Sequence, residues 1–370
     1  MIAMPGMLST FPLFSRRAAL LGAASLAAPL AACTPAAAPP GLARLAPAVQ
    51  DGAFVMEDGM RLPFRAWLPE GEPLAVVLAL HGFNDSRDAW AIPAPDFAAA
   101  GVALYAPDQR GFGATAARGL WPGADALADD AQAMAALLRA RHPAARLVLM
   151  GESMGGAVLM HLATRGVALP VDGLVLLAPA VWGRAAMNLF MQGGLWFAAT
   201  FVPGMTVSRP PPMVRIVASD NIEALRALGR NPLTIRSTRF DTIRGLVDLM
   251  DLALAAAPRF PDMPALVLYG AKDTIIPAAA TRATWTQLPR GRVRRSFYPR
   301  GYHLLPRDLG RAAPIGDILA WLRDPESLLP SDGERAAAQW LDTPASPAAQ
   351  SPAIALPAPR HSGYEALGDP

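Results

Sequence analysis

The chain has 370 residues, enough for one large domain with an insertion or for two small domains, and 52% of them are hydrophobic, so a sizeable core can be buried. The formal net charge is +3 and no stretch interleaves basic with aromatic side chains, which argues against nucleic acid as a partner. The single cysteine, Cys33, excludes an internal disulfide, and no cluster of cysteine and histidine offers a metal site.

The first 33 residues have the features of an export signal. Arg16 and Arg17 form a positive segment, and the uncharged, apolar residues 18–32 are too few to span a bilayer. Small residues precede Cys33, as in a bacterial lipoprotein signal, where the cysteine is lipidated and becomes the new N-terminus. The twin arginines also resemble a Tat signal, and an ordinary cleaved signal with an incidental cysteine is the alternative. We therefore expect an exported cell-envelope protein, anchored on the periplasmic side of a membrane through Cys33.

Composition divides the rest of the chain into three parts. Residues 34–50 are rich in proline and alanine and predict a tether. Residues 51–325 show regular apolar patterns and predict one folded domain. Residues 326–370 predict a Pro/Ala-rich and largely disordered tail, with a short helix around residues 333–341.

The folded region alternates short apolar runs with longer amphipathic stretches. An Asp-Gly turn joins residues 54–57 and 61–68 in a predicted opening hairpin. Buried strands are predicted at 74–80, 102–106, 147–150, 174–178 and 266–269, and an edge strand at 293–298. Helices are predicted at 124–141, 154–165, 278–288 and 312–323. This alternation indicates the α/β class, with a mostly parallel central sheet and helices on both faces.

One stretch, residues 181–259, interrupts this alternation with about eighty residues that are mostly helical in pattern. It predicts a cap over one end of the sheet. The apolar residues between 182 and 205 could line a pocket for an acyl chain, or they could pack the cap onto the sheet.

The sequence Gly151-Glu152-Ser153-Met154-Gly155 is a G-x-S-x-G motif that follows a predicted buried strand and begins a predicted helix. A tight strand-to-helix turn needs glycine at its flanks and leaves the serine projecting from the sheet edge. Ser153 is therefore the predicted nucleophile.

A serine hydroxyl needs a general base and an acid that orients the base. His303 follows the last predicted strand in a glycine-containing loop, whereas His361 lies in the tail, so His303 is the predicted base. Asp273 follows the preceding strand and is the predicted acid. Asp248 and Asp251, in the insertion, are the fallback candidates.

The tetrahedral intermediate also needs an oxyanion hole. The backbone N–H of Met154, directly after the nucleophile, is one predicted donor, and the N–H of Phe83, in the loop after an early strand, is the other. His81 precedes Ser153 in the chain, so it is expected to hold that loop rather than to act as the base.

Several stretches together resemble the α/β-hydrolase superfamily and, within it, the monoacylglycerol lipase/lysophospholipase-like branch, which is also grouped with serine aminopeptidase-type hydrolases. The matching stretches are His81-Gly82-Phe83, residues 108–113, residues 151–156, residues 270–273 and Gly301-Tyr302-His303. Glu152 departs from the pattern, because lipase-like members commonly have histidine there. The resemblance implies a cofactor-free esterase or lipase that acts through an acyl-enzyme on a lipid or small-molecule ester.

Two other functions are compatible with the sequence. The same residues could cleave an amide, as in an aminopeptidase, if Glu223, Asp248 or Asp251 received a substrate amine. The fold could also serve as a binding protein without catalysis, although the complete set of catalytic residue types argues against it.

Overall fold

The computed structural model describes residues 36–208 and 216–343, and a nine-stranded, mostly parallel sheet dominates this part of the chain. Its strand order is β1-β2-β3-β5-β4-β6-β7-β10-β11, with antiparallel pairing from β1 to β5 and parallel pairing beyond. The strands of this sheet are β1 Ala48–Gln50, β2 Ala53–Val55, β3 Arg61–Trp67, β4 Ala75–Leu80, β5 Val102–Pro107, β6 Arg146–Glu152, β7 Gly173–Leu177, β10 Ala265–Gly270 and β11 Val293–Tyr298. A separate ribbon pairs β8 (Thr206–Val207) with β9 (Thr238–Arg239).

Helices cover both faces of the sheet, which confirms the predicted α/β class. The α-helices in the described residues are α1 Ala94–Ala99, α2 Ala124–Arg141, α3 Met154–Ala163, α4 Leu189–Phe201, α5 Ile222–Arg230, α6 Phe240–Ala256, α7 Ala278–Gln287, α8 Ala312–Arg323 and α9 Gly333–Asp342. Apolar residues of α2, α3, α6, α7 and α9 pack on one face, and those of α1 and α8 pack on the other. No helix in these two ranges is long and apolar enough to cross a bilayer.

The predicted strands lie where the apolar runs placed them, and β11 is at the edge as predicted. In β4, the side chains of Val76 and Leu78 enter one core while those of Val77 and Ala79 enter the other. Because successive side chains point to opposite faces, a strand between two helical layers must be apolar throughout.

The segment before the first predicted strand differs from the expectation of a free tether. The backbone N–H of Ala36 donates to Asp241, that of Gly41 donates to Asp58, both at 3.0 Å, and Ala48–Gln50 pairs with β2. Its described part, residues 36–50, is therefore bound to the domain. The predicted export signal and Cys33 lie outside the described residues.

At the other end, the fold continues past the predicted boundary at residue 325. The short helix predicted around residues 333–341 is present as α9 and packs on β11, where Trp340 stacks on Phe297 with ring centroids 4.8 Å apart. The stacked aromatic ring supplies the buried contact that a short, polar helix needs. The predicted tail beyond residue 343 lies outside the described residues.

The predicted cap at residues 181–259 is too long. The buried side of α6, with Val247, Leu249 and Ala253, packs in the same core as α3, so this helix belongs to the layer that covers the sheet. An amphipathic helix has the same sequence pattern in a cap and in such a layer. The cap consists of the chain between β7 and α6, with α4, α5 and the β8–β9 ribbon.

Asp58 ties the opening hairpin to the loop after β5. Burial opposes its ionisation, but hydrogen bonds from Arg110 and from the backbone of Met60 and Gly41 lower its pKa to about 2. The folded-state pKa is thus below the unfolded value, so this stabilisation is present above about pH 4 and is lost as the pH falls toward 2.

We predict that Asp58→Asn lowers the free energy of unfolding by about 2 kcal/mol at pH 7, and by progressively less as the pH falls below 4. Urea denaturation across this pH range measures the difference. Asp51→Asn is the matched control, because the Asp51 side chain is 90% exposed and lies 3.9 Å from its partner Arg61. If Asp58→Asn lowered the free energy of unfolding by the same amount at pH 7 and well below pH 4, the prediction would be contradicted.

Candidate active site

Ser153 lies at the sharp turn between β6 and α3 and has the backbone angles φ 53° and ψ −113°. A non-glycine residue rarely adopts a positive φ, and a turn of this kind projects the side chain from the carboxyl end of the strand. Ser153 is 8% exposed. The structure thus contains the strand–turn–helix context that the G-x-S-x-G motif predicted.

The glycines of this turn are required by close contacts. A Cβ atom on Gly151 would lie 2.4 Å from the backbone of Gly155, and a Cβ atom on Gly155 would lie 2.5 Å from the carbonyl oxygen of Leu80. Gly156 likewise lies against Pro179. Any larger side chain at Gly155 would push α3 away from β4 and displace the turn.

His303 and Asp273 form a buried pair on the loops after β11 and β10. The Nδ1 of His303 lies 2.7 Å from Oδ2 of Asp273, and Oδ1 of Asp273 accepts from the backbone N–H groups of Ile275 and Ile276 at 2.7 and 2.9 Å. Burial disfavours the charged imidazole, but the Asp273 carboxylate outweighs it and raises the pKa of His303 above its ordinary value. This is the pairing of a base with an orienting acid.

The fallback acids are engaged elsewhere. Asp248 and Asp251 both form ion pairs with Arg184. His361 lies outside the described residues. Asp273 is therefore the acid that the fold brings to His303.

His81 holds the loop that contains Phe83. Its Nδ1 lies 2.8 Å from the carbonyl oxygen of Gly82, and its Nε2 accepts from the backbone N–H of Gln109 at 3.1 Å, so Nδ1 carries the proton. A trans peptide points its C=O and N–H in opposite directions, so fixing the Gly82 carbonyl also fixes the N–H of Phe83. His81 has the structural role that its place in the sequence predicted.

The two predicted oxyanion donors come from segments that touch. A Cβ atom on Gly82 would be 3.4 Å from the Cβ of Ser153, which places the loop directly against the nucleophile turn. Met154 is the first residue of α3, so its N–H has no partner within the helix. The arrangement can receive a carbonyl oxygen that gains negative charge.

A buried ion network that includes Glu152, the neighbour of Ser153, was not predicted. Arg307 is 5% exposed and binds both Asp85 and Glu152. Burial raises the pKa of the adjacent Asp308 to about 6, although the hydroxyl of Ser219 donates to it at 2.6 Å. The only sequence feature that could have indicated Arg307 is its place four residues after His303. A single arginine does not stand out in an arginine-rich chain.

With this geometry established, comparison with known protein families matches residues 71–310 to the family described as serine aminopeptidase, S33. The chain belongs to this family. S33 members share the α/β-hydrolase fold seen here, and the resemblance noted from the motifs is confirmed. The name describes a family and does not by itself assign a peptide substrate.

Several proteins similar to this chain in sequence or in fold have names that refer to lipids. A monoacylglycerol lipase of Mycolicibacterium smegmatis is 24% identical over 279 residues, which cover 73% of this chain and 95% of that protein. A monoacylglycerol lipase of Paleococcus ferrophilus superimposes with a TM-score of 0.58 at 21% identity, over 71% of this chain and 98% of the other. A monoglyceride lipase of Saccharomyces cerevisiae, in complex with a substrate analogue, superimposes with a TM-score of 0.62 at 20% identity, over 79% of this chain and 100% of the other.

We predict that Gly155→Ala destabilises the protein by roughly 1–3 kcal/mol, because the new methyl group collides with the backbone of β4. Gly194→Ala is the control. Gly194 lies in α4 with open space around its Cα, so alanine there should be stabilising by about 0.5–1 kcal/mol. Thermal unfolding of both variants checks the prediction, and equal effects would show that the close approach at Gly155 is not a constraint.

Proposed function

We propose that the protein hydrolyses the ester bond of a single-chain lipid, such as a monoglyceride or lysophospholipid, through an acyl-enzyme on Ser153. The observation that supports this most directly is the buried His303–Asp273 pair, at 2.7 Å, on the same edge of the sheet as the Ser153 turn. The fold and the named relatives agree with an ester-cleaving serine hydrolase.

In this mechanism Ser153 Oγ attacks the ester carbonyl carbon while its proton moves to Nε2 of His303. Asp273 accepts a hydrogen bond from Nδ1 and stabilises the resulting imidazolium. The N–H groups of Phe83 and Met154 donate to the oxyanion of the tetrahedral intermediate. His303 then gives the proton to the departing alkoxide, and a water molecule hydrolyses the acyl-enzyme by the same steps in reverse.

The pairing of the acidic side chains in and next to the cap favours an ester over an N-terminal amide. An aminopeptidase needs a free carboxylate to receive the substrate amine, and the sequence offered Glu223, Asp248 and Asp251. Glu223 pairs with Arg226 at 2.5 Å, and the other two pair with Arg184. Each of the three candidates therefore already has an arginine partner.

The cap helix α4 exposes large apolar side chains, which suits a lipid substrate. Its exposed residues are Leu189, Phe190, Trp196, Phe197 and Phe201. Neither sequence interpretation describes them fully, since they face outward instead of packing on the sheet. An apolar surface of this kind is typical of contact with a lipid phase or another protein.

We also propose that the protein is an exported lipoprotein anchored through Cys33. Cys33 is three residues before Ala36, whose N–H donates to Asp241, and the N–H of Asp241 in turn donates to Pro203 just beyond α4. An anchor so close in sequence to Ala36 would hold the apolar cap near the membrane surface. Acyl substrates would then reach the site from the bilayer.

The test of the reaction is a substrate comparison with purified protein. We expect hydrolysis of long-chain monoglyceride and lysophospholipid, less of short-chain ester, and none of an N-terminal peptide amide. Ser153→Ala and His303→Ala should each lower kcat by roughly a thousandfold or more. Amide cleavage would indicate the aminopeptidase alternative, and failure of a fluorophosphonate probe to label Ser153 would indicate a binding protein.

The test of the membrane orientation is vesicle flotation. The double variant Trp196→Ser/Phe197→Ser should bind lipid vesicles more weakly than the wild type, because it removes apolar area from the exposed helix. Leu328→Ser is the matched control, since Leu328 is 91% exposed but lies outside the cap. Equal loss in both proteins would contradict a specific role for α4. In cells, full membrane retention of Cys33→Ala in the Trp196→Ser/Phe197→Ser background would contradict the anchor.

A further inference from the structure

Three charged side chains, one of them on the residue directly before Ser153, meet in the protein interior. Nη1 of Arg307 donates to Oδ2 of Asp85 at 2.8 Å, and Nη2 donates to Oε2 of Glu152. Asp85, Glu152 and Arg307 are 6%, 1% and 5% exposed. The three residues form a closed ion network, which we call the Arg307 cluster.

Each member of the Arg307 cluster lies in or next to a different loop of the site. Asp85 lies two residues after Phe83, Glu152 immediately precedes Ser153, and Arg307 lies four residues after His303. One guanidinium therefore links the oxyanion loop, the nucleophile turn and the histidine loop. Its planar fork fixes both carboxylates in distance and orientation, which a flexible ammonium group does not.

Stability alone is a poor explanation for such a cluster. Removing three charges from water costs several kcal/mol per ion, and well-packed apolar residues are often as stabilising as a buried ion network. Breaking the cluster is costly, because it leaves a buried charge without a partner. Apolar packing would not hold the loops of the site at fixed distances and orientations, as hydrogen-bonded ion pairs do.

The cluster also extends toward the cap. The carbonyl oxygen of Arg307 accepts from Nδ2 of Asn221 at 2.9 Å, and the N–H of Leu304 donates to Ala218 at 3.0 Å. The histidine loop is thus bound both by the cluster and by the cap segment before α5.

We propose that Glu152 and Arg307 are positioning residues, which hold the nucleophile, the oxyanion donors and His303 in one fixed arrangement. The inference rests on the proposed acyl-enzyme mechanism. It gives a role to Glu152, the residue at which this chain departs from the pattern of lipase-like members.

The charge of Glu152 also acts on His303. Burial opposes protonation of His303; Asp273 raises its pKa most, Glu152 raises it further, and Arg307 lowers it. Burial raises the pKa of Glu152 itself, against the effects of Arg307 and His303. Loss of the Glu152 charge should therefore make the imidazolium harder to form, and the pKa of His303 should fall.

The decisive experiment compares a variant that removes charge with one that keeps it. Glu152→Gln should lower kcat by roughly 10- to 100-fold with a smaller change in KM, because the reacting groups are misplaced. The acid limb of its kcat/KM–pH profile should also move to lower pH. Arg307→Lys keeps the charge but loses the fork, so kcat should fall while the acid limb stays in place.

Asp317→Asn controls for the loss of a buried carboxylate. Asp317 is fully buried, accepts from the hydroxyls of Ser296 and Tyr298, and lies away from the site. This variant should lose stability but keep the wild-type pH profile. All rates are measured per folded molecule, by titration of Ser153 with a fluorophosphonate probe.

The proposal requires both effects of Glu152→Gln. An unshifted acid limb, or activity lost only in proportion to the folded fraction, would give Glu152 a purely structural role and overturn it, as would wild-type kcat in Arg307→Lys. Absence of probe labelling in the wild type would instead overturn the acyl-enzyme mechanism, so the two failures are distinguishable.

Discussion

The backbone of Ser153 is the constraint on which the rest of the site depends. A serine at φ 53° is strained by about 1–3 kcal/mol, and it persists only where surrounding contacts enforce it. Here its N–H donates to Leu177 at 2.9 Å, and its carbonyl oxygen accepts from Ala157 and Ala180 at 3.0 and 2.9 Å. The neighbouring strand and the following helix thus fix the turn from both sides. Close contacts with Gly155 and with Leu80 of β4 likewise leave no room for a side chain on Gly151 or Gly155, so the glycines of the motif belong to the same tight turn.

Parallel pairing then brings the other groups to that turn. The carboxyl ends of parallel strands lie at one edge of a sheet, so the loops after β4, β6, β10 and β11 open on the same side. Phe83, Ser153, Asp273 and His303 come from these four loops in chain order. This is why the candidate site could be predicted from sequence: Phe83, Ser153 and Asp273 each follow an apolar run typical of a buried strand, His303 follows the predicted edge strand, and parallel pairing brings the ends of these strands together. The Asp273–His303 contact could be predicted without knowing the structure of the cap.

Other features could not be predicted, because they depend on partners distant in sequence. Arg307 pairs with residues 222 and 155 positions away, and nothing in its local pattern separates it from other arginines of the chain. The prediction that α6 belongs to the cap is wrong, because an apolar stripe on a helix does not distinguish packing against the sheet layer from packing in a cap. Residues 36–50 have the composition of a linker. They are bound to the domain by hydrogen bonds from the backbone of Ala36 and Gly41 to Asp241 and Asp58, and composition does not reveal such bonds.

The distribution of charge connects the site to its proposed substrate. Next to Ser153, Glu152 takes part in a buried ion network, where charges orient groups and act strongly on one another. In the cap, Arg226 pairs with Glu223, Arg184 pairs with Asp248 and Asp251 of the neighbouring helix α6, and the large exposed side chains of α4 are apolar. Each carboxylate considered for binding a substrate amine is thus paired with an arginine, whereas the exposed surface of α4 offers apolar contact. Such a surface favours a substrate with a hydrocarbon chain, and the ester bond attached to that chain is the bond it would bring to Ser153.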